Sequence, residues 1–177
     1  TVGTALGGSG TLTQGASSTL NLNFGGALTL SSLDASAAGS TVDYQFAGAQ
    51  VIKSATYANL TLSGSGLKTF ASGTTAIAEV FTLSGVTTDA TTNSSTIEYN
   101  GTGAQTVRAI NYHSLTLSGT RTTNSITLES TGTIGIAKNH VYFIRTCGHE
   151  VIPGRHSAKN IAFKGAVVGS INITPLC

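Results

Sequence analysis

Two matched triplets are the first candidates for chemistry. Tyr44, Gln50 and Tyr57 recur as Tyr99, Gln105 and Tyr112, each pair 55 positions apart. Aromatic faces and amides together can hold a carbohydrate, so an exposed array of this kind points to a cell-surface glycan. The structural alternative is the stronger one. Within stacked coils a buried Gln can bond along the stack, and a Tyr can cover the rim with its hydroxyl in water.

A second cluster lies near the C-terminal end. His140, Cys147, His149, His156 and Cys177 are ligand types that zinc accepts, but Cys147 and His149 enclose a single residue and no second paired cluster follows. A Cys147–Cys177 disulfide is the plainer expectation and suits an oxidising exterior. Two free thiols are the other possibility that a count of two leaves open.

Catalytic signatures are missing. There is no Gly-x-Ser-x-Gly elbow, no phosphate loop of the Walker type, no Gly-x-Gly-x-x-Gly and no His-Glu-x-x-His. The seven carboxylates are scattered, and Asp43 and Glu98 sit at equivalent places beside Tyr44 and Tyr99, where an outward charge on a strand is expected. The expectation is a protein that is no enzyme and that needs no cofactor or metal.

Composition says what must position these residues. Thr (29), Ser (20) and Gly (22) dominate a chain of 177 residues with nine basic and seven acidic side chains and two Pro. Thr favours a pleated surface, Gly and Ser favour turns, and Met is absent. Disordered chains are rich in charge and Pro and poor in β-branched residues, so order is expected here. Charge is uneven. Residues 1–107 hold two basic and five acidic groups, and residues 108–177 seven and two. The basic residues stand singly, without the stripe that nucleic acid requires. No apolar run approaches the ~20 residues of a membrane helix, so no membrane span is expected.

The repeat is the strongest signal. Thr41–Gly64 reads TVDYQFAGAQVIKSATYANLTLSG and Thr96–Gly119 reads TIEYNGTGAQTVRAINYHSLTLSG, aligned without a gap. Inside it runs a shorter beat: TVDY at Thr41, LTLSG at Leu60 and FTLSG at Phe81 each open a stretch of roughly 15–21 residues ending in turn formers. Each stretch reads as one coil. Leu-Thr-Leu places Leu inward and Thr outward, and such units bury an apolar face only by stacking. The expected fold is all-β, a β-solenoid of stacked coils, with a β-sandwich completed by strand donation between subunits as the alternative. Residues 1–13 read as a flexible or strand-donating segment, 14–139 as the repeat domain with units beginning near 41 and 96, and 140–177 as a divergent β segment.

The phrases Tyr44-x5-Gln50 and Tyr99-x5-Gln105, each followed by Tyr-x-x-Leu-Thr-Leu-Ser-Gly, resemble the β-strand repeats of large bacterial surface proteins and autotransporter-like adhesins. The resemblance covers about Thr11–Ala137. It implies an exported structural or adhesive protein of the cell surface and supplies no catalytic residues to carry over. Self-assembly, head to tail with copies of itself into a filament or layer, is the expected mechanism, with glycan or surface binding as the alternative. A third reading is ice binding, for which Thr29, Thr61, Thr82 and Thr116 would have to share one flat face.

Overall fold

The computed structural model describes residues 1–121 and 124–137 and, beyond them, the backbone of three short strands. The chain winds as a β-solenoid with three strands to a coil. The first coil holds β1 (Gly7–Thr13), β2 (Thr19–Leu22) and β3 (Gly26–Ala27); the second holds β4 (Thr29–Ala35), β5 (Thr41–Tyr44) and β6 (Gln50–Ile52). The third holds β7 (Thr56–Tyr57), β8 (Asn59–Leu62) and β9 (Leu67–Phe70); the fourth holds β10 (Thr74–Ile77), β11 (Phe81–Leu83) and β12 (Thr87–Asp89). The fifth holds β13 (Thr96–Tyr99), β14 (Gln105–Val107) and β15 (Asn111–Tyr112), and the sixth β16 (Ser114–Leu117), β17 (Ile126–Leu128) and β18 (Thr133–Ile136). Finally β19 (Val141–Phe143), β20 (Ile161–Ala162) and β21 (Ala166–Val168) add one strand to each face.

Face one is a continuous sheet, β1-β4-β7-β10-β13-β16-β19. Face two runs β2-β5-β8-β11, stops, and resumes as β14-β17-β20; face three runs β3-β6-β9-β12 and resumes as β15-β18-β21. Every named pair is parallel, as coil-on-coil stacking requires and as a sandwich of antiparallel sheets would not give. The short beat is confirmed. Val42, Leu60 and Phe81 are register partners on face two, so the stretches beginning at Thr41, Leu60 and Phe81 are three successive coils.

Alternation decides which side chains enter. Val42, Leu60 and Leu62 are fully buried, while Thr61 and Thr82 between them lie towards solvent. Leu117 is likewise inside. Burying one such side chain contributes roughly 1.5–3 kcal/mol, and the stack makes the layers continuous from Leu22 to Ile136. The Ser-Gly that closes the Leu-Thr-Leu runs at Leu60 and Leu115 turns the corner. Gly64 (φ +78°) and Gly119 (φ +83°) occupy the left-handed region, and a Cβ at either would run into backbone oxygens, Gln45 O in one case and Asn100 O in the other.

Two expectations are corrected. The 55-residue unit is not a whole number of coils. It spans eight strands, β5 to β12, before β13 begins the second copy, and eight strands at three per coil make two and two-thirds coils. The copies therefore lie on different faces: β5 on face two, its counterpart β13 on face one. Matching strands are related by a third of a turn about the axis and do not stack directly on one another. The N-terminal segment is also engaged, since β1 pairs with β4 of its own chain on either side of a break between Gly8 and Thr11, and Val2 bridges to Leu22.

Candidate functional site

The tyrosines of the first unit meet through register. Tyr44 ends β5 and Tyr57 ends β7, and the corner carrying β6 brings their hydroxyls to 3.1 Å. Tyr57 Oη donates to Lys53 O at 2.6 Å, and Lys53 N donates to Tyr44 Oη at 3.1 Å. A hydroxyl has one proton, so Tyr44 must be the donor to Tyr57. The result is a closed ring of hydrogen bonds joining two tyrosines to the backbone N–H and C=O of one residue.

Gln50 opens β6 with its side chain inside. Its Nε2 donates to Leu22 O at 3.1 Å and Phe24 O at 2.9 Å in the preceding coil, and its Oε1 accepts from Phe46 N at 3.1 Å and Lys68 Nζ at 2.7 Å. Both amide protons and both carbonyl lone pairs are used, which fixes the amide's orientation. Lys68 Nζ spends its other protons on Phe46 O at 2.7 Å and Gly48 O at 3.2 Å. The cation is wholly covered, and its desolvation holds its pKa below the ordinary lysine value.

The second unit repeats the set bond for bond. Tyr99 and Tyr112 hydroxyls are 3.0 Å apart, Tyr112 Oη donates to Arg108 O at 2.8 Å, and Arg108 N donates to Tyr99 Oη at 3.1 Å. Gln105 Nε2 donates to Ile77 O at 2.9 Å and Glu79 O at 3.2 Å, and its Oε1 accepts from Gly101 N at 3.1 Å. The cation differs. Arg121 Nη2 donates to Gln105 Oε1, and its Nε donates to Gly103 O at 3.2 Å, the counterpart of Gly48 O. Nearby, Ser63 Oγ donates to Asp43 Oδ1 at 2.7 Å and Ser118 Oγ to Glu98 Oε1 at 2.5 Å.

All six predicted residues are thus brought into two modules, one per unit, and none is at the surface. Their exposures run from 0 to 4 %. Gln bonds between coils as the structural reading holds, but the tyrosine hydroxyls are not in water. Burial raises all four phenols, Tyr99 to about 12 and Tyr57 and Tyr112 well above their ordinary value. A sugar has no access to this array. The four threonines also separate: Thr61 and Thr82 are neighbours on face two, whereas Thr29 and Thr116 belong to face one and Thr116 is buried. The outward column on face two reads Asn21, Asp43, Thr61, Thr82, which is no threonine rank.

His140, Cys147, His149, His156 and Cys177 lie outside the described residues, and with them the zinc and disulfide readings. Among the described residues no three of His, Cys, Asp and Glu are grouped as metal ligands would be. Sequence reasoning missed Lys68 and Arg121. A signal existed for Lys68: Phe70 must enter the core, and two positions away on the same strand Lys68 must follow it, leaving Leu67 43 % exposed.

No protein-family model, no curated protein and no solved structure matches this chain.

Proposed function

We propose that this chain is a structural segment of an extracellular β-solenoid shaft, part of a surface filament, layer or adhesin, with copies of itself as partners. The observation that carries the reading is where the repeated polar residues are spent. The Tyr, Gln and Tyr repeated in both units face inward and tie one coil to the next, and Gln50 and Gln105 each bond to carbonyls of the preceding coil. A unit that repeats a buried polar set for coil-to-coil bonding supports length and stiffness rather than turnover of a substrate. Parallel ladders add to this, since a coil presents on one edge what the next coil needs on the other. Among the described residues no helix is long and apolar enough to cross a membrane.

The test is direct. The purified chain, concentrated through the micromolar range without added ligand, is expected to form rods or filaments about one solenoid wide by negative-stain microscopy. Single particles at every concentration, together with specific retention on a glycan array, would overturn self-assembly in favour of a ligand-binding adhesin. Turnover of a substrate by the same preparation would overturn the structural reading altogether.

A further inference from the structure

The corner between coils one and two differs from its counterpart between coils four and five. In the first unit Phe46 seals it. A Cβ on Gly25 would stand 3.1 Å, and one on Gly48 2.7 Å, from Phe46 Cε1, so the ring lies against both glycines. Beside it the ladder is closed, Gly26 pairing with Gln50 and Ala27 with Val51. Fifty-five residues on, Gly101 stands for Phe46, Val80 for Gly25 and Gly103 for Gly48. There the ladder is open, because face two ends at β11 and resumes at β14.

What remains is a groove of about 440 Å³ lined by Ala78, Glu79, Val80 and residues 100–104. A cavity of about 150 Å³ holds a benzene ring. Val80 is 55 % exposed in it, and a Cβ on Gly103 would meet open space. The chain cannot supply the ring itself at residue 101, where a Cβ would collide with Ala78 O.

Beyond the lining, the strands that follow it, β11 and β14, carry open peptide groups. Gln105 N donates to Ser125 O and Val107 O accepts from Glu129 N, both towards coil six, so alternation turns the N–H and C=O of Thr106 towards coil four. Across the gap, Val80 O accepts from Leu60 N and Ser84 N donates to Leu62 O, both towards coil three. The peptide groups of Phe81 and Leu83 therefore face coil five. Alternating donors and acceptors along a strand edge are matched by another polypeptide strand.

We propose that this corner docks an extended polypeptide segment carrying an aromatic side chain. The ring seats over Val80 and Gly103, as Phe46 seats over Gly25 and Gly48, and the segment's backbone bonds to the open edges of β11 and β14. In the first unit the ring's seat is filled by Phe46 and the strands beside it pair with each other, whereas in the second both the seat and the strand edges are open. This goes beyond the shaft reading, which stands whether or not the site exists.

The experiment is an NMR titration of the full chain with a capped hexapeptide of residues 45–50, Gln-Phe-Ala-Gly-Ala-Gln, and with its Phe46→Ala version. The expected result is shifts confined to Val80, Phe81, Leu83 and Thr106 and their neighbours, with binding at least tenfold weaker for the Ala peptide. Val80→Asp, a change at an exposed position, is expected to abolish the shifts while leaving the remaining spectrum folded. No shifts at millimolar peptide, equal binding of both peptides, or shifts scattered over other faces would overturn the proposal. The same shifts produced by cellotetraose would also overturn it, in favour of a saccharide site. So would amide exchange at Phe81 and Thr106 as slow as at Thr61 in the free protein, because the edges would then be closed on each other.

Discussion

The two units carry the same hydrogen-bonded module and differ in the cation that completes it. In the first, Lys68 comes from β9, a full coil further along the chain, and is completely enclosed. In the second, Arg121 comes from the turn after β16 and keeps partial contact with solvent. What the Gln needs is a donor at Oε1 near a glycine carbonyl, and two unrelated sequence positions provide it. The module is thus defined by its hydrogen-bond geometry and not by one fixed set of residues, and the two versions should differ in how much each is worth.

The largest effect is expected in alkali, where the two modules should behave alike. The folded phenol pKa values lie above the unfolded value of about 10. Their contribution is then complete below pH ~10 and is lost as the pH rises through the folded values. Phenolate absorbance near 295 nm from these four tyrosines should therefore appear only together with loss of the β-sheet circular dichroism. Ionisation of one module with the sheet intact would break the equivalence.

Next in size are the glutamines, where the modules should part. Gln50→Ala leaves Phe24 O and Phe46 N without their partner, reduces Leu22 O to its bond from Gln45 N, and takes one acceptor from a buried ammonium, a loss of about 3–5 kcal/mol. Gln105→Ala should cost less, about 1–3 kcal/mol, because Arg121 can turn to water. Urea unfolding of the two variants measures the difference, and equal losses would show that enclosure of the cation is irrelevant. Smallest are Tyr44→Phe and Tyr99→Phe. Each removes the acceptor of one buried N–H, of Lys53 or Arg108, and should cost about 1–2 kcal/mol, the same in both units to within ~0.5 kcal/mol. A larger gap would mean that the shared geometry conceals different energetics.

Much of this was legible in the residues. Leu60-Thr61-Leu62 and Leu115-Thr116-Leu117 announce strands with one apolar side, and the beat at Thr41, Leu60 and Phe81 gives the coil length, because alternation and turn formers are local signals. The tyrosines were identified but placed at the rim. Alternation marks Tyr44 as inward like Val42, and the bonds that allow a hydroxyl to be buried are made to peptide groups, which leave no trace in side-chain pattern. Lys68 was unreadable without the register imposed by Phe70. The vacant corner was visible only as Phe46 against Gly101, a difference whose meaning depends on which strands pair.

A unit of eight strands on a three-strand coil has a consequence for any longer run of such units. Each copy is displaced by about 13 Å along the axis, at roughly 4.8 Å per coil, and by a third of a turn around it. A feature carried once per unit would wind about the rod like the thread of a screw and come back to the same side at every third copy, some 38 Å on. Such a rod has no preferred flank. It would bend equally easily in all directions and offer its recurring features to every side of its surroundings.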